Sequence, residues 1–207
     1  MKKITFVFTA IVAFFSFTSL TLATFKDLQP TDLYYDSINS LADAGVINGY
    51  PDGNFIAKNR VNRAEFTKMV IKTLQSDARY SDIFPDDAFL ESLVPSEGCF
   101  PDVKKTDWYA KYVCFAKSKG MIEGYTDGNF EPNYNISVVE AMKIVFEAVD
   151  PNGVEARADD GVWFNKYTYY ADDFDLWVDS WLEESEAYQI TRGELAEFLE
   201  KAIWLHV

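Results

Sequence analysis

The residues best suited to bind an anion are two arginines that follow helix caps. Arg63 comes directly after Asn62 and two positions before Glu65, and Arg192 stands in the same relation to Thr191 and Glu194. That spacing is a capping box, in which the polar cap and the carboxylate each satisfy an orphan backbone N–H at a helix start. The residue after the cap lies in the first turn, where the helix presents partial positive charge. An arginine there adds a formal charge and a planar fork matched to a carboxylate. Ser137 and Glu140 provide a third cap, but Val138 stands in the arginine position. That copy keeps the helix start and lacks the cation. At the level of residue type alone, a plain surface ion pair accounts for both arginines better than ligand contact does.

Other chemistry finds little support. The single histidine, His206, is the penultimate residue, which excludes a His-dependent triad or a multi-His metal site within this chain. Asp52-Gly53 and Asp127-Gly128 suggest calcium loops, but loop position twelve would be Asn59 or Tyr134 and position three Tyr50 or Tyr125. Those positions need oxygen ligands, with a bidentate Glu at twelve, so a tight turn is the better reading. Asp172-Asp173-Phe174-Asp175 and Glu183-Glu184-Ser185-Glu186 read as solvated helix faces. No catalytic set, metal site or cofactor is expected. Tyr34, Trp108, Tyr109 and Trp163 begin helices, where such rings can stack on sugars but more often pack in the core.

A repeat positions these residues. Phe25–Leu74, shifted by 75 positions, falls on Phe100–Val149 without a gap. Gly45, Ile47, Gly49 and Tyr50 meet Gly120, Ile122, Gly124 and Tyr125, and Asp52-Gly53-Asn54-Phe55 meets Asp127-Gly128-Asn129-Phe130. Glu65, Lys68 and Val70 meet Glu140, Lys143 and Val145. A worn third copy follows: Trp163-Phe164 answers Trp108-Tyr109, and Ile190–Glu194 answers Ile136–Glu140. Each copy reads as helix, turn, helix. Tyr34, Ile38, Leu41 and Ala42 form one apolar stripe, Phe66, Met69, Val70 and Leu74 the next, and Leu195, Phe198, Leu199 and Ala202 its counterpart in copy three. Gly45 falls where a left-handed helix cap belongs. A single helical pair cannot bury both of its stripes, so the copies must pack on one another.

The division that results is a signal peptide over residues 1–23, copy one over 24–74 and an acidic loop over 75–98. Copy two covers 99–149, a linker 150–162 and the degenerate third copy 163–207. Lys2 and Lys3, the apolar run Ile4–Leu22 and the Thr21-Leu22-Ala23 end predict cleavage after Ala23. No later segment is apolar enough to span a membrane. The net charge of −14 repels phosphate backbones and argues against nucleic acid. Two cysteines in an exported chain, not spaced as CxxC, point to a Cys99–Cys114 disulfide.

The ordered set F-x-D-[LV], G-[VM]-I-x-G-Y-x-D-G-x-F and then I-T-R-A-E resembles the S-layer homology family. Copies one and two match almost throughout, and copy three only at its ends. The resemblance implies an all-α fold of three helix-turn-helix repeats about a pseudo-threefold axis. It also implies a non-catalytic anchor that holds secondary cell-wall polysaccharide, often pyruvylated, in grooves between repeats at the cell surface. On that reading Arg63 and Arg192 meet acidic sugars, and Asn62, Thr191, Tyr34, Trp108 and Trp163 line the grooves. The groove of copy two, lacking a cation at Val138, is then expected to bind poorly. The alternative is an envelope assembly protein with vestigial grooves, whose partners are other envelope proteins.

Overall fold

The computed structural model describes residues 25–157, 161–181, 185 and 187–205, and is all-α. The signal-peptide expectation, the Glu183–Glu186 cluster apart from Ser185, and His206 lie outside the described residues. Helix α1 spans Tyr35–Asp43, α2 Arg63–Ser76, α3 Asp87–Ser92, α4 Ala110–Ser118, α5 Val138–Val149, α6 Pro151–Glu155, α7 Asn165–Phe174 and α8 Arg192–Leu199. A wider helical turn, Glu200–Leu205, continues α8.

The apolar stripes are buried as their spacing requires. Ile38 and Leu41 of α1, Phe66, Met69, Val70 and Leu74 of α2, and Leu195, Phe198 and Leu199 of α8 all lie in one core. Gly45 ends the first helix in the left-handed region, at φ +71°. The helices do not pack chiefly within their own copy. Helix α4 packs on α2, α7 on α5, and α1 on α8, so the first helix of each segment covers the second helix of another.

The backbone just before α2, α5 and α8 closes the same circuit at the centre. Val61 N donates to Ile190 O (3.2 Å), Ile190 N to Ile136 O (3.2 Å), and Ile136 N to Val61 O (3.0 Å). All three residues are fully buried, and each immediately precedes a cap. The capping boxes form at Asn62/Glu65, Ser137/Glu140 and Thr191/Glu194. The first helical N–H at each start finds a carbonyl on a neighbouring segment. Arg63 N reaches Tyr134 O, Val138 N reaches Tyr188 O, and Arg192 N reaches Asn59 O. Orphan donors that water would otherwise satisfy therefore tie the segments together.

Within copies one and two, the Asp of F-x-D pins the turn. Asp27 accepts N–H bonds from Phe55 (2.7 Å) and Ile56 (2.8 Å). Asp102 does the same for Phe130 (2.9 Å) and Glu131 (2.7 Å). Burial alone would raise the Asp27 carboxyl, but these donors outweigh it and hold the group below its ordinary value.

The acidic segment over 75–98 is not a plain loop. Asp86 caps α3, and Phe84, Leu90 and Val94 are buried. Asp87 receives Lys72 (2.7 Å), Lys111 (3.2 Å) and the Tyr112 hydroxyl (2.7 Å), which fixes α3 against α2 and α4. The linker over 150–162 likewise holds α6, capped by Asp150 with Pro151 in its first turn. Among the described acidic residues near 172–175, Asp172 accepts from the Trp177 indole and Asp173 pairs with Arg157.

Cys99 and Cys114 are disulfide-bonded, with Cα atoms 5.4 Å apart, and the bridge ties the start of copy two to α4. A closed loop of about 15 residues contributes about 3 kcal/mol in the chain-entropy model. Replacing both cysteines with serine should therefore lower the urea midpoint without loss of helicity. An unchanged midpoint, or two alkylatable thiols in the unreduced protein, would remove the bridge from the account.

Candidate functional site

Two grooves open where the segments meet; the 75-residue shift maps the turn and second-helix residues of one onto the other, and the tryptophan and arginine correspond from copy to copy. Groove one, of about 310 Å³, is lined by Asn48, Tyr50, Glu65, Lys68, Trp108 and Arg192 among others. Groove two, of about 450 Å³, is lined at the matching positions by Glu123, Tyr125, Glu140, Lys143, Trp163 and Arg63. Each groove takes its turn and lysine from one segment, its tryptophan from the next and its arginine from the one before.

The arginines are deeply held. Arg63 is 5% exposed and Arg192 7%. Arg63 Nε donates to Phe130 O (2.9 Å), and Nη1 pairs with Glu140 Oε1 (3.0 Å). Its guanidinium lies 4.6 Å from the Tyr125 ring centre. Arg192 Nε donates to Phe55 O (3.0 Å) and Nη2 to Asn48 O (3.0 Å), with the Tyr50 ring centre at 4.9 Å. The carbonyls of the facing turn thus aim each fork, and the tyrosine ring caps it as a cation–π partner.

The structure corrects the expected ownership of these cations. Arg63 belongs to copy one but serves the groove of copy two, and Arg192 serves the groove of copy one. The groove of copy two is therefore not the one short of a cation. In the same cyclic order, the third position would receive Val138 and Leu33 in place of Arg and Trp. Val138 is buried, and Leu33 is 77% exposed.

Tyr34 lines neither groove. Its hydroxyl donates to Ser180 (3.3 Å), whose hydroxyl donates to Glu194 (2.8 Å), and burial pushes the phenol above its ordinary value. Tyr188 donates to the same Glu194 oxygen (2.9 Å). Asn62 and Thr191 are committed as caps, accepting from Glu65 N (2.9 Å) and Glu194 N (3.3 Å). Neither is among the residues lining the two grooves.

Trp108 and Trp163 stand at the groove walls, 55% and 53% exposed. Lys68 and Lys143 approach their ring centres at 5.8 Å and 6.0 Å. These lysines, with Tyr50 and Tyr125, line the grooves without having stood out as candidates in the sequence. Their signal was present as identities at the 75-residue spacing. Tyr125 also donates to Glu140 (2.6 Å), and burial together with that carboxylate pushes its phenol upward, so it stays a donor. The arrangement offers a flat aromatic wall, two cations and several hydrogen-bonding groups around an open trough. That chemistry suits a sugar ring bearing hydroxyl or acidic substituents.

The S-layer homology domain model matches residues 24–67 and 100–137. The chain is 25% identical, over 81% of its length, to "Middle cell wall protein" of Brevibacillus brevis. It is 28% identical over 61% of its length to "Cellulosome-anchoring protein" of Acetivibrio thermocellus, and 33% identical over 61% to "Exoglucanase XynX" of that organism. It spans 14%, 26% and 10% of the lengths of these relatives, respectively. With its motifs recurring at the two matched stretches, the chain carries S-layer homology sequence over them.

Proposed function

We propose that this chain is an exported, non-catalytic anchoring module that holds cell-wall polysaccharide non-covalently at the cell surface. The observation that carries the reading is the convergence, twice over, of an arginine, a tryptophan and a tyrosine-bearing turn from three separate stretches of chain. Folding alone does not require a half-exposed tryptophan beside a lysine at both sites. The stretch from Trp163 is read as a third, degenerate repeat, and the three as arranged about a pseudo-threefold axis. The cyclic helix packing and the backbone triangle at Val61, Ile136 and Ile190 support that arrangement. On this reading two grooves accept ligand, and the third lacks both the arginine and the tryptophan.

The test is co-sedimentation with purified wall polymer, before and after chemical removal of pyruvyl groups. Trp108→Ala with Trp163→Ala should abolish retention while the circular dichroism spectrum stays that of the parent, because both rings are half exposed. Truncating one stacking ring should weaken its groove about tenfold, on the order of 1.4 kcal/mol. Retention unchanged in the folded double variant would leave the grooves without a role and favour an envelope assembly protein.

A further inference from the structure

The two grooves are alike in shape but not in charge, and the difference bears on what each accepts. We propose that groove one selects an anionic sugar and groove two an uncharged one, with the side chain at position 48 or 123 setting the difference. This rests on the carbohydrate reading of the grooves.

In groove two both cations already have carboxylate partners. Arg63 pairs with Glu140 at 3.0 Å and Lys143 with Glu123 at 2.9 Å. Tyr125 adds a further bond to Glu140, closing a cluster in which the arginine charge is met within the protein. In groove one the residue matching Glu123 is Asn48, which offers Arg192 only a backbone carbonyl. Glu65 and its match Glu140 each turn one oxygen back to a cap N–H, but only Glu140 also pairs with the groove arginine. Among the described residues, neither Arg192 nor Lys68 forms an ion pair. Groove one therefore presents two cations against one carboxylate, and groove two presents two against two.

An acidic substituent entering groove one meets two cations without an ion-pair partner among the described residues, Asp27 reaching Arg192 only through its field. In groove two it must displace Glu140 from Arg63 or sit beside two carboxylates, and like charges brought together disfavour the complex. The exposed Glu123–Lys143 pair is weak as a stabilising contact, but its carboxylate still repels an anion at the groove wall. For an uncharged sugar the same carboxylates are acceptors for ring hydroxyls, so groove two is suited to it.

The two tryptophans make the grooves separately readable. The probes are a methyl N-acetylhexosaminide carrying a 4,6-ketal-linked pyruvate and the same glycoside without it. Indole N–H resonances of Trp108 and Trp163, assigned with Trp→Phe variants, report each groove during titration. The charged probe should bind at Trp108 at least about tenfold tighter than at Trp163, and the uncharged probe should favour Trp163. Glu123→Asn should raise affinity for the charged probe at Trp163 about tenfold, and Asn48→Glu should lower it at Trp108 by a similar factor. Equal response of both indoles to the charged probe, or exchanges without effect, would overturn the charge assignment and leave the carbohydrate reading standing. If neither indole responds to either probe, both fall.

Discussion

Arg63→Ala should destabilise the fold by about 3 kcal/mol, although its own helix keeps an intact cap. From the capping box alone, the expectation is that folding scarcely changes, since Asn62 and Glu65 still satisfy the start of α2. The structure moves the effect elsewhere. The guanidinium is buried in copy two, where it supplies Phe130 O with a donor and Glu140 with its counter-charge. Truncation leaves a buried carbonyl and a carboxylate only 20% exposed without that partner, and opens space under the Tyr125 and Phe130 rings. Removing one member of a largely buried pair costs more than the pair contributes, because the survivor stays desolvated. Arg192→Ala strands carbonyls but no carboxylate, so it should cost less, about 2 kcal/mol. Trp108→Ala should stay within about 0.5 kcal/mol of the parent. Urea unfolding followed by circular dichroism ranks the three. If Arg63→Ala unfolds at the parent midpoint, the arginine does not bridge the segments, and its loss would then report on ligand binding alone.

That ranking shows why much of the fold could be read from the sequence while the ownership of the grooves could not. Caps, stripes and turns are local. Asn62 and Glu65 are three residues apart, and Ile38 and Leu41 share a helix face whatever the rest of the chain does. A repeat also fixes that each cap is followed by Arg or Val. It does not fix which neighbour the side chain enters, because moving every contribution one step round a ring leaves the sequence period unchanged. Bonds between segments break that ambiguity, from the backbone at Arg63 N to Tyr134 O and Arg192 N to Asn59 O and from the guanidinium groups themselves. They direct Arg63 into copy two and Arg192 into copy one. Helix α3 was hidden for another reason. Its six residues bury only Leu90, and the acidity that suggested a loop is partly absorbed by Lys72 and Lys111. Lys68 and Tyr50 repeat faithfully, but a lone lysine on a helix and a tyrosine in a turn carry no chemistry until Trp108 and Arg192 are placed beside them.

The turn that receives each arginine should be the least forgiving part of the protein, and Gly124→Ala should show it. Gly124 has φ +84°, where a side chain is strained by roughly 1–2 kcal/mol. An added Cβ would also lie 2.7 Å from Asn129 O and 2.7 Å from the Phe100 ring. Neither obstacle yields easily. The Asn129 carbonyl accepts the Tyr125 N–H at 2.8 Å, and the Phe100 ring is packed against Phe130, with centroids 5.7 Å apart. Relieving the contact must shift Phe130, whose carbonyl anchors Arg63. Overpacking of this kind costs about 1–3 kcal/mol beyond the backbone strain, so the sum should reach about 3 kcal/mol. Gly128→Ala, four residues on, is the control. Its φ is +86°, but nothing lies within 4 Å of the added carbon, so only the backbone strain should appear. Thermal unfolding of both variants checks the difference, and the Trp163 indole resonance should move in Gly124→Ala alone. Equal midpoints for the two would mean that conformational strain accounts for the whole effect, and that Phe100 and Asn129 do not brace the turn against Arg63.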